Sequence, residues 1–147
     1  MSIFKKMVEL QHQFNKQVAE DYLDKNFNWN SAIIAESGEL LDSLGYKWWK
    51  KQEPDMENVK VEAIDLLHFV ISEKIQENYA KKDYAELDYI IEVVVDFEFY
   101  FNKYQHNSLL KLNSLIDALN YCNYNRFIAM KQIFEQLNMS NEDVYIA

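Results

Sequence analysis

Apolar residues in this chain recur at intervals of three and four, the period of helices that bury one face. Phe4, Met7, Val8, Leu10, Phe14 and Val18 form one such stripe and predict a helix over Ile3 to Asp24. The asparagine-rich stretch 25–30 reads as a loop. A second helix is expected from Ser31 to about Leu44, with Ile33, Ile34, Leu40, Leu41 and Leu44 as its apolar face and Gly45 ending it. Residues 46–51 are a compact aromatic and basic segment, followed by a turn at 52–55. Pro54 suits the opening of a third helix that runs to roughly Tyr79. A fourth helix is expected over about Tyr84 to Tyr104, and one or two more between Ser108 and Leu137. Ser140-Asn141-Glu142-Asp143 then has the form of another helix start, a serine N-cap with acids in the first turn. Only four residues follow, and a helix that short gains little beyond its nucleation cost. The tail is therefore expected either to dock on a partner or to belong to a truncated form of a longer chain.

Composition narrows the fold. With 147 residues, 49% of them hydrophobic, the chain is expected to be one domain with a real core. Two glycines and one proline cannot punctuate a many-stranded sheet, so all-β, Rossmann and P-loop architectures are disfavoured. The expectation is an all-α bundle of about five to six helices. An aromatic content of 15% argues against disorder. The lone Cys122 has no intrachain partner, is read as a packing residue, and points to a reducing compartment. No apolar run of about 18 residues occurs, so no membrane span is expected and the plain reading is cytoplasmic.

Charge then narrows the chemistry. Acids outnumber bases by 24 to 15, the net charge is −9, and Arg126 is the only arginine. Nucleic acid is a poor partner for such a surface, because neutralising phosphates needs a basic face. An acidic protein that handles phosphates needs metal ions between its own charge and theirs.

Two acid pairs fit that condition. On the third helix, Val59, Ile64, Leu66, Leu67, Val70, Ile71 and Ile75 leave only a narrow stripe of Glu62, Asp65, His68 and Ser72, with Phe69 beside Glu62. Glu62 and Asp65 stand at i and i+3, so both carboxylates share one face. The second helix repeats the device with Glu36 and Glu39, while Asp42 points to the polar side. Gly38, between the glutamates, is a poor helix former and would suit close approach of a backbone or ligand. Four carboxylates meeting across a helix pair repel unless cations lie between them, and hard oxygen donors suit Mg²⁺ or Mn²⁺. The same spacing also fits solvated stripes on surface helices. Between the pairs lies Lys47-Trp48-Trp49-Lys50-Lys51. Its lysines offer point charges to phosphate and its tryptophans a stacking face, although a core tryptophan beside solubilising lysines is the plainer alternative. His12, His68 and His106 form no metal motif, and Glu92, Asp96 and Glu98 read as a solvated face.

The order Glu36-Ser37-Gly38-Glu39, then the Lys-Trp segment, then Glu62-Ala63-Ile64-Asp65-Leu66-Leu67-His68-Phe69 resembles the all-α dimeric dUTPase family. That family is the dUTPase/dCTPase branch of the MazG-like nucleotide pyrophosphohydrolases, which share E-x-x-E and E-x-x-D helices. Leu10-Gln11-His12-Gln13-Phe14-Asn15 also resembles its early L-Q-x-x-x-N segment, whose amides read the pyrimidine. The resemblance implies a homodimer that converts dUTP, and by extension dUDP, to dUMP using two or more Mg²⁺, with Mn²⁺ as a substitute. Glu36, Glu39, Glu62 and Asp65 would then be the metal-binding and catalytic residues. Gln11, Asn15, Lys47, Trp48, Trp49, Lys50 and His68 would contact substrate. A dCTPase or broad dNTP pyrophosphatase stays open as an alternative, as does a non-enzymatic helical interaction module. The family's C-terminal K-N-x-x-N-x-x-R-Q-x-x-G-Y run has no match here, which agrees with the expectation of a truncated chain.

Overall fold

A computed structural model describes residues 2–81, 86–103, 112–120 and 125–146. Among these residues the chain is all-helical: α1 (Ile3–Val18), α2 (Trp29–Leu44), α3 (Met56–Ala80), α4 (Glu86–Lys103), α5 (Leu112–Leu119), α6 (Arg126–Gln136) and α7 (Asn141–Ile146). The expectations for Cys122 and His106 fall outside the described residues. The seventh helix is the short start read at the end of the sequence. It is capped reciprocally, with Ser140 Oγ accepting from the Asp143 N–H at 3.1 Å and Asp143 Oδ2 accepting from the Ser140 N–H at 2.8 Å. Val144 is buried and the Lys6 ammonium stands over the Tyr145 ring, so α7 rests on α1 of its own chain.

Asparagine, aspartate and serine caps set the other starts. Asn28 accepts from the Ser31 N–H and begins α2 two residues earlier than the apolar pattern suggests. Asp55, rather than Pro54 itself, caps α3 by accepting from the Asn58 N–H. Gly45 ends α2 in the left-handed region, φ 73°, as expected of a glycine at that place. The first helix stops at Val18 instead of Asp24. Ala19 is extended, and the chain turns so that Tyr22 buries its ring and shares a 2.6 Å hydrogen bond between its hydroxyl and His12 Nδ1.

Helix α3 is the central element. It packs along α2 over most of its length and also meets α1, α4 and α6. More than one face of its apolar pattern is used, since Val59, Ala63, Leu66 and Val70 on one face are fully buried and Ile64, Leu67 and Ile71 beside them are buried too. At the end away from the acid stripe, Phe97 stacks on Phe127 with ring centres 4.7 Å apart, and Phe4, Phe101 and Phe134 close around them.

Two apolar stripes divide differently from the pattern. On α1 the buried face is Phe4, Val8, His12 and Asn15, while Leu10, Phe14 and Val18 are exposed. On α2, Ile33 and Leu40 are core but Ile34 is exposed. Burial of His12 and Asn15 is tolerable because both are hydrogen-bonded. Gly38 is exposed, and a Cβ built there meets nothing within 4 Å. No neighbouring backbone explains it. Gly38→Ala should therefore raise stability by about 0.5–1 kcal/mol in a denaturant melt, because it removes backbone freedom from the unfolded chain at no steric cost.

Candidate functional site

The α2–α3 pair brings the four carboxylates to one place. Glu36 is half-buried on α2 with the exposed Glu39 beside it, and Glu62 and Asp65 come near enough from α3 for their charges to reach Glu36. Burial pushes the Glu36 carboxyl up to about 7, and the charges of Glu39, Asp65 and Glu62 push the same way. The Glu36 side chain also hydrogen-bonds Glu39. Glu62 is shifted upward as well, chiefly by burial, against the lowering effect of hydrogen bonds from Ser43 and Asn58. Asp42 is exposed, as expected, yet its charge still reaches Glu62.

Glu62 is only 9% exposed. Its Oε1 accepts from Asn58 Nδ2 at 3.0 Å, and the same amide nitrogen lies 2.9 Å from Ser43 Oγ. Its Oε2 is buried with no hydrogen-bond partner. A carboxylate oxygen left this way is costly. Among the described residues no three acid, imidazole or thiol groups are already drawn into one coordination shell. The donor set nonetheless fits a hard divalent cation: four carboxylates, one orphaned oxygen, and a glutamate whose ionisation is opposed by burial and then by its acidic neighbours.

Beside these acids is a cavity of about 380 Å³, within the range of small-molecule sites. Its polar side is Gln11, Asn15, Glu36, Asp65 and His68. Its apolar side is Phe14, Val18, Tyr22, Phe27, Trp29 and Phe69. Gln11 Nε2 donates to Asn15 Oδ1 at 2.9 Å, and Asn15 Nδ2 donates to Ser72 Oγ at 2.9 Å. His68 is half-exposed, with Nδ1 4.0 Å from Asp65 Oδ1. Desolvation lowers its pKa, while the Asp65 charge opposes that shift.

The geometry thus joins Gln11, Asn15, Glu36, Asp65 and His68 around one cavity, with Glu39 and Glu62 electrostatically coupled to it. The Lys-Trp segment is not brought in. Lys47, Trp48, Trp49 and Lys50 are absent from the cavity wall. They sit past the C-terminus of α2, where the Lys47 N–H is held by Gln52 Oε1. Neither tryptophan is core, for Trp48 is 89% and Trp49 61% exposed and the two rings meet edge to face. The packed tryptophan is Trp29, in contact with Tyr22, Phe27 and Phe69.

A family model described as dUTPase matches residues 3–147. The chain belongs to the dUTPase family. No curated protein matches it. Membership makes this dUTPase an enzyme, a dUTP-hydrolysing nucleotide pyrophosphatase, and agrees with its all-helical architecture. No helix among the described residues is long and apolar enough to cross a membrane. In this dUTPase the aromatic wall of Phe14, Tyr22, Phe27 and Trp29 is what the sequence pattern missed. One signal was available for the wall's polar rim: Phe4, Val8, His12 and Asn15 follow the 4-4-3 helical spacing as regularly as the apolar stripe does.

Proposed function

We propose that this dUTPase is a Mg²⁺-dependent pyrophosphohydrolase that converts dUTP and water to dUMP and pyrophosphate, with Glu36, Glu39, Glu62 and Asp65 as metal ligands. The observation that carries the reading is the meeting of these carboxylates across α2 and α3, where the charges of Glu39, Asp65 and Glu62 add to burial in opposing ionisation of Glu36, beside a cavity lined by two amides. Two or more Mg²⁺, or Mn²⁺ in their place, would neutralise phosphate charge and lower the pKa of the attacking water. The chain's own groups do the rest. A carboxylate of the Glu36–Glu39 pair accepts the proton of the water that attacks the α–β phosphoanhydride, and that bridge breaks to give dUMP and pyrophosphate. Asn58 and Ser43 hold Glu62 by hydrogen bonds and leave its Oε2 without a partner, free to take a cation. Gln11 and Asn15 contact the uracil edge, and Phe69 and Trp29 give the nucleoside an apolar wall. His68 lies at the rim between base and acids. Lys47 and Lys50, with Trp48 and Trp49, reach substrate phosphate or base from outside the cavity, with the segment closing over bound nucleotide. Turnover of dUDP follows if the cluster needs only the α- and β-phosphates.

The enzyme acts as a homodimer in the cytoplasm and without a nucleic-acid partner. Support for the first is the apolar side chains of Leu10, Phe14, Val18 and Ile34 left exposed on α1 and α2. Support for the others is the single cysteine and the net charge of −9. A panel of the four dNTPs, dUTP and dUDP with Mg²⁺ tests the substrate assignment. The proposal predicts dUTP first. Equal turnover of all dNTPs would favour a broad house-cleaning pyrophosphatase instead.

A further inference from the structure

Ser72 is fully buried on α3, one turn beyond His68, and is not a member of the acid cluster. Its Oγ lies 2.8 Å from the His68 carbonyl oxygen and 2.9 Å from Asn15 Nδ2. A carbonyl can only accept, so the single hydroxyl proton of Ser72 is committed to His68. The Oγ lone pairs then have to accept, which fixes the Asn15 amide with its nitrogen toward Ser72. Asn15 Oδ1 must face the other way, where Gln11 Nε2 donates to it at 2.9 Å. Four groups on two helices therefore have one consistent polarity, and Asn15 and Gln11 both line the cavity. A base meeting this pair would find the second lone pair of Asn15 Oδ1 as acceptor and the second Gln11 Nε2 proton as donor.

We infer that Ser72 is a positioning residue that locks the polarity of the Asn15–Gln11 pair and thereby sets the preference for uracil over cytosine. The inference rests on the reading of that pair as the base subsite. Uracil places N3–H, a donor, beside O4, an acceptor, and so matches the locked pair. Cytosine in the same pose sets the N3 lone pair against Asn15 Oδ1 and its amino group against the Gln11 N–H. Two unrestrained amides would turn over and serve cytosine equally. Here the Asn15 amide can turn only if Ser72 withdraws its proton from the His68 carbonyl, which sacrifices a buried hydrogen bond.

The test compares kcat/KM for dUTP and dCTP in wild type, Ser72→Ala, Ser72→Cys, Ser72→Thr and Asn15→Ala. Ser72→Ala and Ser72→Cys should each cut the dUTP/dCTP ratio about threefold to tenfold, the worth of one such bond, with the change in KM and little in kcat. Ser72→Thr keeps the hydroxyl and should keep the ratio. An unchanged ratio in Ser72→Ala and Ser72→Cys, with a lowered ratio in Asn15→Ala, overturns the lock and leaves the base subsite intact. An Asn15→Ala enzyme with the wild-type ratio overturns the base subsite and the lock together. Wild-type protein gives a check free of substitution: the Asn15 side-chain amide protons should exchange slowly with solvent, and rapid exchange contradicts the lock.

Discussion

Replacing Glu36 with glutamine should lower dUTP turnover by roughly 10²–10⁴-fold, the usual worth of a positioned proton acceptor, while making the metal-free protein more stable above neutral pH. The opposite signs come from one cause. In the folded protein the Glu36 carboxyl is raised from 4.5 to about 7 by burial and by Glu39, Asp65 and Glu62. The fold thus binds a proton that the unfolded chain releases, and this group's stabilising effect is complete below pH 4.5 and lost as pH rises through about 7. Glutamine keeps the shape and carries no charge, so the loss disappears. A denaturant series across that pH window should show wild type weakening relative to Glu36→Gln as pH rises. Added Mg²⁺ should reverse the order by stabilising wild type more than the variant. If Glu36→Gln were instead fully active, or pH left the two proteins in step, Glu36 would belong to a solvated face and not to the catalytic cluster.

The largest effect on stability should come from Arg126→Ala, a loss of about 3–5 kcal/mol in a denaturant midpoint measurement. Arg126, the chain's only arginine, ties four elements together at the start of α6. It pairs with Glu73 of α3, its Nε donates to the Leu119 carbonyl of α5 at 3.0 Å, and its Nη2 donates to Asn30 of α2 at 2.6 Å. The Arg126 and Glu73 side chains are each 13% exposed. Truncating the arginine leaves Glu73 buried without a counter-charge and the end of α5 without its donor. Lysine should recover only part of the loss, because one ammonium cannot serve three separated acceptors as the guanidinium fork does. Changing both Arg126 and Glu73 to methionine should cost less than Arg126→Ala alone, since no unpaired charge is left behind. Arg126 does not line the cavity beside the acid cluster, so surviving folded protein should keep the wild-type ratio of dUTP to dCTP turnover.

The helices were legible because their signals are local: apolar spacing, Asn28, Asp55 and Ser140 as caps, Gly45 as a stop. The acid pairs were legible for the same reason, each lying within one turn of helix. What could not be read was which face of α1 turns inward. Leu10, Phe14 and Val18 look like core by hydropathy, yet Asn15 is buried because Ser72, 57 positions away, satisfies it. The packed tryptophan was hidden in a similar way. Trp48 and Trp49 drew attention as a pair, whereas Trp29, in an asparagine-rich stretch, is the one that meets Tyr22, Phe27 and Phe69 in the cavity wall. Partners far apart in sequence decide both cases, and spacing along the chain does not record them.

Pyrophosphate release from dUTP, followed with Mg²⁺ and again with the metal removed by a chelator, bears most directly on the carboxylate cluster. Wild type should release pyrophosphate and dUMP in equal amounts with Mg²⁺ present and none after chelation, and Asp65→Asn should lose nearly all of this activity at any Mg²⁺ concentration. Turnover that persists through chelation, or an Asp65→Asn enzyme as fast as wild type, would contradict a metal-dependent site built from Glu36, Glu39, Glu62 and Asp65.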